Sequence, residues 1–279
     1  YFGWWYSYSD GTYAANETLV IDGQTYRFDA RGYMKTGWVY EGGHWYYHAS
    51  SGAQQTGWVM DRGNWYYLDP SNGVMATGWA QINGSWFYLS PSGAMRTGWV
   101  KDGGAWYYLS PSGSMATGWQ HLDGSWYHLG ANGAMTTGWL KDGNNWYWLR
   151  ADGAAAIGWT NVDGAWYLFE DDARMLTGWQ LTDDDKQWYY MHPSGVMATG
   201  WLKDRDSWYY LDSEGAMKTG WLSVGGTWYH MQPSGAMSTG WVKDGGSWFY
   251  LSSSGAMVTG ARWIDGTRYV FDDEGRLQE

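Results

Sequence analysis

Two tryptophans seven residues apart, with a tyrosine directly after the second, form a pattern that recurs along this sequence. In residues 97 to 119, TGWVKDGGAWYYLSPSGSMATGW, the pattern is Trp99, Trp106 and Tyr107, and it begins again at Trp119. The face of an aromatic ring is electron-rich, so several rings around a small opening attract an organic cation. Trp and Tyr rings also stack on sugar rings. These residue types at this spacing therefore indicate repeated binding of a cation or a carbohydrate.

The residues that catalysis or metal binding would need do not form a recognisable set. Asp183, Asp184 and Asp185 form a run of charges, for which a calcium site is the alternative to the solvated loop that we predict. No pair of carboxylates recurs as glycoside hydrolysis would require, and no nucleophile motif is present. We predict no enzymatic activity, no metal site and no cofactor. The histidines lack the spacing of a metal site or a catalytic triad: His44, His48, His121, His128, His192 and His230.

Composition excludes several classes of partner. The 279 residues include 26 Trp, 42 Gly and no Cys, and the formal net charge is −11. A nucleic-acid partner would require stripes of Lys and Arg, and this acidic chain has no basic run. No apolar run approaches the roughly 18 residues of a transmembrane helix, so we expect no membrane insertion. The chain begins Tyr1-Phe2-Gly3-Trp4, which we interpret as a mature portion or a piece of a longer protein with an upstream domain.

The aromatic pattern divides most of the chain into repeats of about 20 residues. The first Trp occurs eleven times, from Trp38 to Trp241, and the second follows each time, from Trp45 to Trp248. Asp-Gly or Gly-Gly pairs between β-forming residues are a strong signal for a β-hairpin. The links, such as SPSG at residues 110–113, contain turn residues and no helical periodicity. Because one hairpin is marginal in water, we predict a stack of hairpins, an all-β solenoid without helices.

The ends and the eighth repeat depart from the pattern. Residues 1–33 and 260–279 are degenerate copies, which we interpret as caps on the eleven full repeats of residues 34–259. In the eighth repeat TDDDKQ lengthens the turn, and the link EDDARM before it lacks the usual glycine. We therefore predict a local change of superhelical angle near residues 170–188.

Strand alternation places the aromatic residues in grooves between hairpins. Successive side chains in a strand point to opposite faces, so Trp106 faces one neighbouring hairpin and Tyr107 the other. A groove is then lined by the two Trp of one hairpin and the middle aromatic of the next, and the Met of the link between them is expected to close one side. Three rings give about 4 kcal/mol, a millimolar site. Many such sites facing a polymer would bind with avidity.

Two other interpretations of the rings remain open. The rings could form only the core of a structural spacer, because a solenoid poor in aliphatic residues must build its interior from something. Two Trp and two Tyr in 20 residues exceed what a thin stack of hairpins can bury, and exposed aromatic arrays usually mean recognition. Stacking on a glucan or another glycan is the alternative binding function.

Units of the type TGWVKDGGAWYYLSPSGAM resemble the choline-binding repeats of Gram-positive surface proteins and phage lysins, over nearly the whole chain. The resemblance implies a left-handed β-solenoid that binds choline or phosphocholine groups of teichoic and lipoteichoic acids. It further implies a secreted module, held non-covalently on the cell wall, that anchors an attached domain. It also implies a homodimer through the C-terminal repeats. Glucan-binding repeats and clostridial toxin repeats are similar but keep fewer of the paired Trp.

Carried onto this sequence, the resemblance implies eleven choline cages. Phe87 and Phe249 stand where Tyr is usual, which keeps the ring face and loses the hydroxyl. Gln54 and Ala155 replace Met, which predicts looser clefts at these two positions. Tyr26 lacks Trp partners, so we expect no ligand between it and the first strand of its cap. The cages are Trp38, Trp45 and Tyr66; Trp58, Trp65 and Phe87; Trp79, Trp86 and Tyr107 with Met95; Trp99, Trp106 and Tyr127 with Met115; Trp119, Trp126 and Tyr147 with Met135; Trp139, Trp146 and Tyr167; Trp159, Trp166 and Tyr189; Trp179, Trp188 and Tyr209 with Met197; Trp201, Trp208 and Tyr229 with Met217; Trp221, Trp228 and Phe249 with Met237; and Trp241, Trp248 and Tyr269 with Met257.

Overall fold

A computed structural model describes residues 3–278, which contain β-strands, turns and irregular segments but no helix. Within this range the strands form thirteen antiparallel two-stranded sheets, each made of two consecutive strands. The predicted all-β chain of hairpin repeats is confirmed. The strands are β1 (Thr18–Ile21), β2 (Gln24–Arg27), β3 (Gly37–Glu41), β4 (His44–His48), β5 (Gly57–Asp61), β6 (Asn64–Leu68), β7 (Gly78–Ile82), β8 (Ser85–Leu89), β9 (Gly98–Asp102), β10 (Ala105–Leu109), β11 (Gly118–Leu122), β12 (Ser125–Leu129), β13 (Gly138–Asp142), β14 (Asn145–Leu149), β15 (Gly158–Val162), β16 (Ala165–Phe169), β17 (Gly178–Leu181), β18 (Trp188–Met191), β19 (Gly200–Asp204), β20 (Ser207–Leu211), β21 (Gly220–Val224), β22 (Thr227–Met231), β23 (Gly240–Asp244), β24 (Ser247–Leu251), β25 (Gly260–Ile264) and β26 (Thr267–Phe271).

Each repeat folds into a hairpin because its turn residues adopt a left-handed backbone. Asp102 at the end of β9 lies opposite Ala105 at the start of β10, so Gly103 and Gly104 form a two-residue turn. Their φ angles are 56° and 86°. Two positive φ angles in succession are those of a type I′ turn, whose twist matches that of the flanking strands. The register set by this turn fixes which side chains share a face.

The most deeply buried side chains come from one position, the last residue of the second strand. Leu109 lies opposite Gly98, which has no side chain, and forms a further β-bridge with Met115 in the following link. Burial of a Leu side chain stabilises a protein by about 1.5–3 kcal/mol. The core within each part of the chain is therefore a row of large side chains, to which a hairpin contributes one. Those that are at most 1% exposed are Leu68, Leu89, Leu109, Leu129, Leu149, Met191, Leu211, Met231, Leu251 and His48.

The glycine of most Gly-x-Met links packs against the methionine of the preceding link, and Gly73 packs against Gln54 at the same position. Gly113 has a φ of 86°, and a Cβ atom there would overlap the sulfur of Met95. At the equivalent positions of one pair of links stand Ala155 and Ala173, both buried, and Ala173 has a φ of 67°. A smaller residue in place of Met thus accompanies a larger residue in place of Gly. Other pairs with the usual residues are Gly133 with Met115, Gly195 with Met175, Gly215 with Met197, Gly235 with Met217 and Gly255 with Met237.

The chain separates into two compact units. The first ends at Thr137 and contains the six hairpins from β1–β2 to β11–β12; the second begins at Gly138 and contains the seven hairpins from β13–β14 to β25–β26. Hairpins β1–β2 and β25–β26 lie in the two segments predicted to be caps. The assignment of residues 1–33 and 260–279 as caps, and the left-handed sense of the stacking, stay predictions.

The eighth full repeat is irregular, as its sequence indicates. Strands β17 and β18 have four residues each, and six residues rather than two join them. Asp185 organises this turn, since it accepts hydrogen bonds from the hydroxyl groups of Thr182 and Tyr189, the latter at 2.6 Å. These bonds lower the pKa of the Asp185 carboxyl, that from Thr182 most. The change of superhelical angle near residues 170–188 stays a prediction.

A buried polar cluster replaces the usual leucine in the hairpin β3–β4. His48 is 1% exposed; its Nδ1 lies 2.7 Å from the carbonyl oxygen of Gly52 and its Nε2 lies 3.0 Å from Nη1 of Arg27. Since Arg27 can only donate, Nε2 accepts and Nδ1–H donates to Gly52, which is the neutral form of the ring. Arg27 also donates to Glu41 at 2.6 Å. Burial, and to a smaller extent the charge of Arg27, lower the pKa of His48.

Candidate functional site

Within each compact unit, the first Trp of a full repeat lies at the centre of a group of aromatic rings from two hairpins. The ring centroid of Trp201 is 6.4 Å from that of Trp208 in its own hairpin and 4.8 Å from that of Tyr229 in the next hairpin. The planes of the two Trp rings make an angle of 87°, and those of Trp201 and Tyr229 one of 68°. We call the opening between the two Trp and the middle aromatic of the following hairpin a cleft.

The register of the hairpin explains why these rings converge. Trp201 lies opposite Tyr210, and Lys203 lies opposite Trp208. Side chains two residues apart in a strand share a face, so Trp201 and Trp208 both point towards the following hairpin. Tyr229, which lies opposite Leu222, points back at them from the other side. The alternation predicted from the sequence is therefore the arrangement in the structure.

Ten of the eleven predicted sets are brought together in this way within one compact unit. The eleventh set, Trp119, Trp126 and Tyr147, has members in both units and stays a prediction; the centroids of Trp119 and Trp126, which belong to the same hairpin, are 6.5 Å apart. In the ten sets the centroid of the first Trp lies 4.7–5.1 Å from the middle aromatic of the next hairpin: Trp38 to Tyr66, Trp58 to Phe87, Trp79 to Tyr107, Trp99 to Tyr127, Trp139 to Tyr167, Trp159 to Tyr189, Trp179 to Tyr209, Trp201 to Tyr229, Trp221 to Phe249 and Trp241 to Tyr269.

The predicted place of the methionines is wrong by one repeat. The cavity at Trp201, Trp208 and Tyr229 has a volume of about 240 Å³ and is closed by Met237, where the sequence had suggested Met217. The reason is the backbone: the N–H of Met237 donates to the carbonyl oxygen of Trp208 at 2.7 Å. The methionine that closes a cleft therefore comes from the link after the second hairpin, not from the link between the two.

The same offset applies to the other predicted methionines, each of which donates its backbone N–H to the second Trp of an earlier cleft. Met217 accordingly lines the cavity of Trp179, Trp188 and Tyr209, also of about 240 Å³. Met197, predicted for that cavity, lines the one before it. The other observed pairs are Met75 with Trp45, Met95 with Trp65, Met115 with Trp86, Met135 with Trp106, Met175 with Trp146, and Met257 with Trp228.

The clefts are open to solvent on the side of the second Trp. Trp208 is 41% exposed and Trp228 47% exposed, whereas the middle aromatics are buried or half-buried. The opening therefore offers ring faces and a thioether, and few hydrogen-bonding groups. Such a site can hold an apolar cation that needs no hydrogen bonds.

The residue after the middle aromatic, which we call the third aromatic position, also belongs to the site, although the sequence analysis did not include it among the site residues. Tyr210 packs edge-on against Trp201 with centroids 5.2 Å apart, and Tyr88 against Trp79 at 5.1 Å. His128 and His230 occupy the same position in other repeats. The sequence did contain a signal for this position. It lies two residues after the second Trp, and residues two apart in a strand share a face.

One cleft differs in size and charge. The cavity at Trp159, Trp166 and Tyr189 has a volume of about 380 Å³, because the long turn of the eighth repeat adds Asp184 and Asp185 to its wall. Burial, followed by the hydrogen bond to Asp185, raises the pKa of Tyr189 to about 12. Its hydroxyl therefore stays a proton donor over the physiological range.

The N-terminal segment forms a further aromatic cavity. Trp4 and Trp5 line it together with Tyr26 and Met34, in a volume of about 420 Å³. The N–H of Met34 donates to the carbonyl oxygen of Trp4 at 2.7 Å, so Trp4 takes the place of a second Trp. Sequence reasoning found no Trp partner for Tyr26, because Trp4 lies outside the regular spacing. The expectation that no ligand binds beside Tyr26 stays a prediction.

The described residues 3–278 contain neither a metal-binding cluster nor a membrane-spanning helix. No group of three or more His, Asp or Glu side chains in this range is arranged to hold a metal ion. No helix in the same range is long and apolar enough to cross a membrane.

The family profile that matches this chain is that of the choline-binding repeat. It matches six overlapping segments, residues 42–77, 76–117, 116–158, 156–198, 184–220 and 218–260. Each segment spans about two of the hairpin repeats described above. A comparison with curated proteins gave no match.

Several solved structures from Streptococcus pneumoniae are similar to this chain. Choline-binding protein F is 28% identical with a TM-score of 0.66, and the match covers 87% of this chain and 98% of that one. CbpJ is 29% identical with a TM-score of 0.57, over 94% of this chain and 99% of that one. The modular autolysin LytC, in complex with a synthetic peptidoglycan ligand, is 26% identical with a TM-score of 0.55; the match covers 80% of this chain and 53% of LytC.

Proposed function

This chain belongs to the choline-binding repeat family, and we propose that its clefts bind the quaternary ammonium group of choline. The observation that carries this proposal is the repeated cleft itself. Two perpendicular Trp rings, the middle aromatic of the next hairpin and a Met surround a cavity of about 240 Å³ that is open on one side. No sugar-specific array of hydrogen-bonding side chains accompanies the rings in the residues that line these two cavities.

The cleft offers ring faces and has few hydrogen-bonding groups, and both properties favour a quaternary ammonium ion as the ligand. A quaternary ammonium ion has no N–H group, so it loses no hydrogen bond when it leaves water for a cavity of ring faces. Each ring contributes about 0.5–2 kcal/mol to a cation held over its face. Three rings support a site in the millimolar range, about 4 kcal/mol.

A weak site repeated many times suits a polymer that carries many copies of the ligand. We therefore propose that the natural partner is choline or phosphocholine on teichoic or lipoteichoic acid, and that the protein is secreted and held non-covalently at the cell wall. Simultaneous occupation of several clefts raises the effective affinity well above that of one cleft. The similarity to about half of a modular autolysin supports a role as the anchor of an attached domain. In this proposal the repeats bind and do not catalyse.

The test is a site-resolved titration. The indole N–H groups of the full chain, labelled with ¹⁵N, are followed by NMR during addition of choline chloride, tetramethylammonium, ammonium chloride and an isomalto-oligosaccharide. We expect saturable millimolar shifts with choline and tetramethylammonium at the Trp of the clefts. Trp263 is the internal control, because it is 74% exposed and lies in no cleft described above.

Either of two results would contradict the proposal. A response to the oligosaccharide alone would move the function to glucan binding by ring stacking. An equal response of Trp263 and the cleft Trp would mean that choline binds exposed rings without using the cleft.

A further inference from the structure

The clefts differ in the charged residues that accompany their rings. The residue at the end of the first strand of each hairpin faces back towards the preceding cleft, because it shares a face with the middle aromatic. This residue is an Asp or has an aliphatic side chain. In the first unit these residues are Asp61, Ile82, Asp102 and Leu122, and in the second unit they are Val162, Asp204, Val224, Asp244 and Ile264. The irregular repeat is an exception, because its Leu181 lies opposite Trp188 and faces the following hairpin.

Four aspartates at this position are each bonded to a ring of a cleft that lies within one unit. Asp102 accepts a hydrogen bond from Nε1 of Trp79 at 3.1 Å, and its other oxygen lies 3.4 Å from the hydroxyl of Tyr88. The carboxylate is half-buried and lies against the indole of a Trp of the cleft; in the cleft of Trp179, Asp204 is bonded to a lining residue but does not itself line the cavity. The other bonds of this kind join Trp38 to Asp61, Trp179 to Asp204 and Trp221 to Asp244, at 3.0–3.1 Å. We call these four the carboxylate clefts.

Four other clefts have an aliphatic residue at that position and a lysine beside the second Trp. Lys101 lies opposite Trp106 in the hairpin, and its Nζ is 5.7 Å from the centroid of that ring. Leu122, rather than an Asp, faces the cleft that contains Trp106. The same holds for Lys141 with Trp146, Lys203 with Trp208 and Lys243 with Trp248, at 5.6–6.0 Å. We call these four the lysine clefts. The cleft of Trp58 and Trp65 has neither charge, because Met60 lies opposite Trp65 and β7 ends at Ile82.

A Lys-Asp dipeptide supplies the four lysines and three of the four aspartates, whereas Asp61 follows Met60. Strands β9, β13, β19 and β23 read GWVKD, GWLKD, GWLKD and GWVKD. Adjacent residues in a strand point to opposite faces, so Lys101 faces the following hairpin while Asp102 faces the preceding one. The carboxylate clefts have a neutral residue where the lysine would stand, for example Gln81 opposite Trp86 and Ser223 opposite Trp228.

We infer that the two kinds of cleft prefer different forms of the ligand, the carboxylate clefts a bare quaternary ammonium and the lysine clefts the zwitterion phosphocholine. A carboxylate near the cavity attracts the ammonium group and repels a phosphate attached to it. A lysine on the rim repels a second cation but attracts the phosphate, which its flexible stem can reach. On a polymer, the two kinds of cleft would then engage different parts of the same phosphocholine group.

The effect is moderate, because the charges are partly or fully exposed. Lys101 and Lys203 are exposed, and Asp102 and Asp204 are half-buried. For such charges we expect a two- to fivefold difference in the ratio of the two affinities, about the size of an exposed charge pair. The difference decreases when the salt concentration rises from about 20 mM to about 1 M, because the screening length shortens.

The inference rests on the proposed function, and the experiment separates the two. The full chain with ¹⁵N-labelled indoles is titrated with choline and, separately, with phosphocholine, and the ratio of the two dissociation constants is determined for each class of cleft. Trp79 and Trp179 report on the carboxylate clefts, and Trp99 and Trp201 on the lysine clefts. We expect the ratio to favour choline in the first class and phosphocholine in the second.

Two sets of substitutions assign the preference to the charges. Asparagine can still accept the hydrogen bond from the indole, so Asp61→Asn, Asp102→Asn, Asp204→Asn and Asp244→Asn together remove the charge and keep the bond. We expect them to weaken choline binding two- to fivefold in the carboxylate clefts only. Lys101→Gln, Lys141→Gln, Lys203→Gln and Lys243→Gln together are expected to weaken phosphocholine binding by a similar factor in the lysine clefts only.

A matched control removes four aspartates that lie outside the clefts. Asp22, Asp123, Asp163 and Asp265 are exposed turn residues with φ of 48–51°, a conformation that Asn also tolerates. Their replacement by Asn changes the net charge by the same amount and should leave both ratios unchanged. Equal ratios in the two classes of the unsubstituted chain would overturn the inference and leave choline binding intact. The absence of any saturable response to choline would overturn the proposed function and the inference together.

Discussion

At the scale of the residue, the cleft depends on ring faces held at right angles. The first Trp is fixed on three sides, by the second Trp, by the third aromatic of its own hairpin and by the middle aromatic of the next, as in Trp201 with Trp208, Tyr210 and Tyr229. A ring held in this way loses little conformational freedom when a ligand binds, because its rotamer is already set by packing. The hydroxyl of the middle Tyr contributes less than its ring, since Phe87 and Phe249 occupy the same position.

Substitution of Tyr229 tests the contribution of one ring. Tyr229→Leu keeps an apolar side chain but removes the ring face, and we expect the choline affinity measured at Trp201 to fall about three- to tenfold. Tyr229→Phe is the matched control and should change that affinity less than about twofold. Shifts of the indole N–H resonances give both values. A loss as large with Phe as with Leu would show that the hydroxyl, and not the ring, is essential.

His48 predicts a pH dependence of stability at the residue scale. Its folded pKa is lowered, chiefly by burial, so the unfolded chain takes up a proton at a pH where the folded chain does not. This stabilising contribution is complete above the usual pKa of about 6.5 and is lost as the pH falls through the lowered value. We expect the free energy of unfolding to decrease between pH 7 and pH 5.

His48→Leu is the control for this dependence, because Leu occupies the same position in most other hairpins. The variant should be less stable at neutral pH, since Arg27 loses a hydrogen-bond acceptor. It should also lose the part of the pH dependence that His48 causes. Denaturant titrations at several pH values measure both effects, and an unchanged slope against pH in the variant would assign the dependence to other groups.

At the scale of the element, neighbouring links fit each other through a large and a small residue. Met95 fills the space above Gly113, where any Cβ atom would overlap it. Ala155 and Ala173 agree with this fit. Ala155 is smaller than the Met it replaces, and Ala173 is larger than the Gly it replaces. The methionines therefore have two roles, closing a cleft with the thioether and spacing one link from the next.

A double-mutant cycle tests this fit. Ala155→Met should insert a long side chain against the Cβ atom of Ala173 and destabilise the protein by about 1–3 kcal/mol. Ala155→Met combined with Ala173→Gly should recover most of that loss, because Gly leaves the space and also accepts the φ of 67° at this position. The free energies of unfolding of the single and double variants give the coupling. If the effects of the two substitutions on the free energy of unfolding are additive, the two side chains are not in contact.

At the scale of the whole molecule, the proposed function depends on the number of clefts more than on the strength of each. In that proposal free choline binds independent sites of millimolar affinity, whereas a choline-bearing polymer would engage several at once. The neighbouring structures come from proteins named for choline binding and from a modular autolysin. A set of weak sites suits an anchor, because each contact can be released and remade while the whole remains attached.

Removal of clefts should therefore affect polymer and free ligand differently. Tyr127→Leu, Tyr167→Leu and Tyr229→Leu together should reduce the number of choline sites by about three, but weaken binding to a choline-bearing teichoic acid surface by about tenfold or more. Calorimetry with choline and binding to immobilised polymer measure the two effects. The corresponding Phe substitutions are the control, and a purely proportional loss on the polymer would contradict avidity.

The pairing of two chains through their C-terminal repeats stays a prediction from the resemblance. Light scattering of the full chain measures it directly, since a dimer would have twice the monomer mass of 31.7 kDa. We expect the dimer, and we expect changes in β25–β26 to shift the equilibrium towards the monomer. A monomer at all concentrations would restrict the proposed avidity to the clefts of one chain.

The sequence by itself determined the hairpins, the repeat and the aromatic membership of the clefts. Turn residues such as Gly103 and Gly104 act locally, and the alternation of Trp106 and Tyr107 follows from strand geometry alone. The tertiary structure decided what depends on contacts between repeats. The backbone bond from Met237 to Trp208 places each methionine one repeat later than adjacency in the sequence suggested. The bond from Trp79 to Asp102 spans 23 residues, so the partner of that indole appears only when the hairpins are stacked.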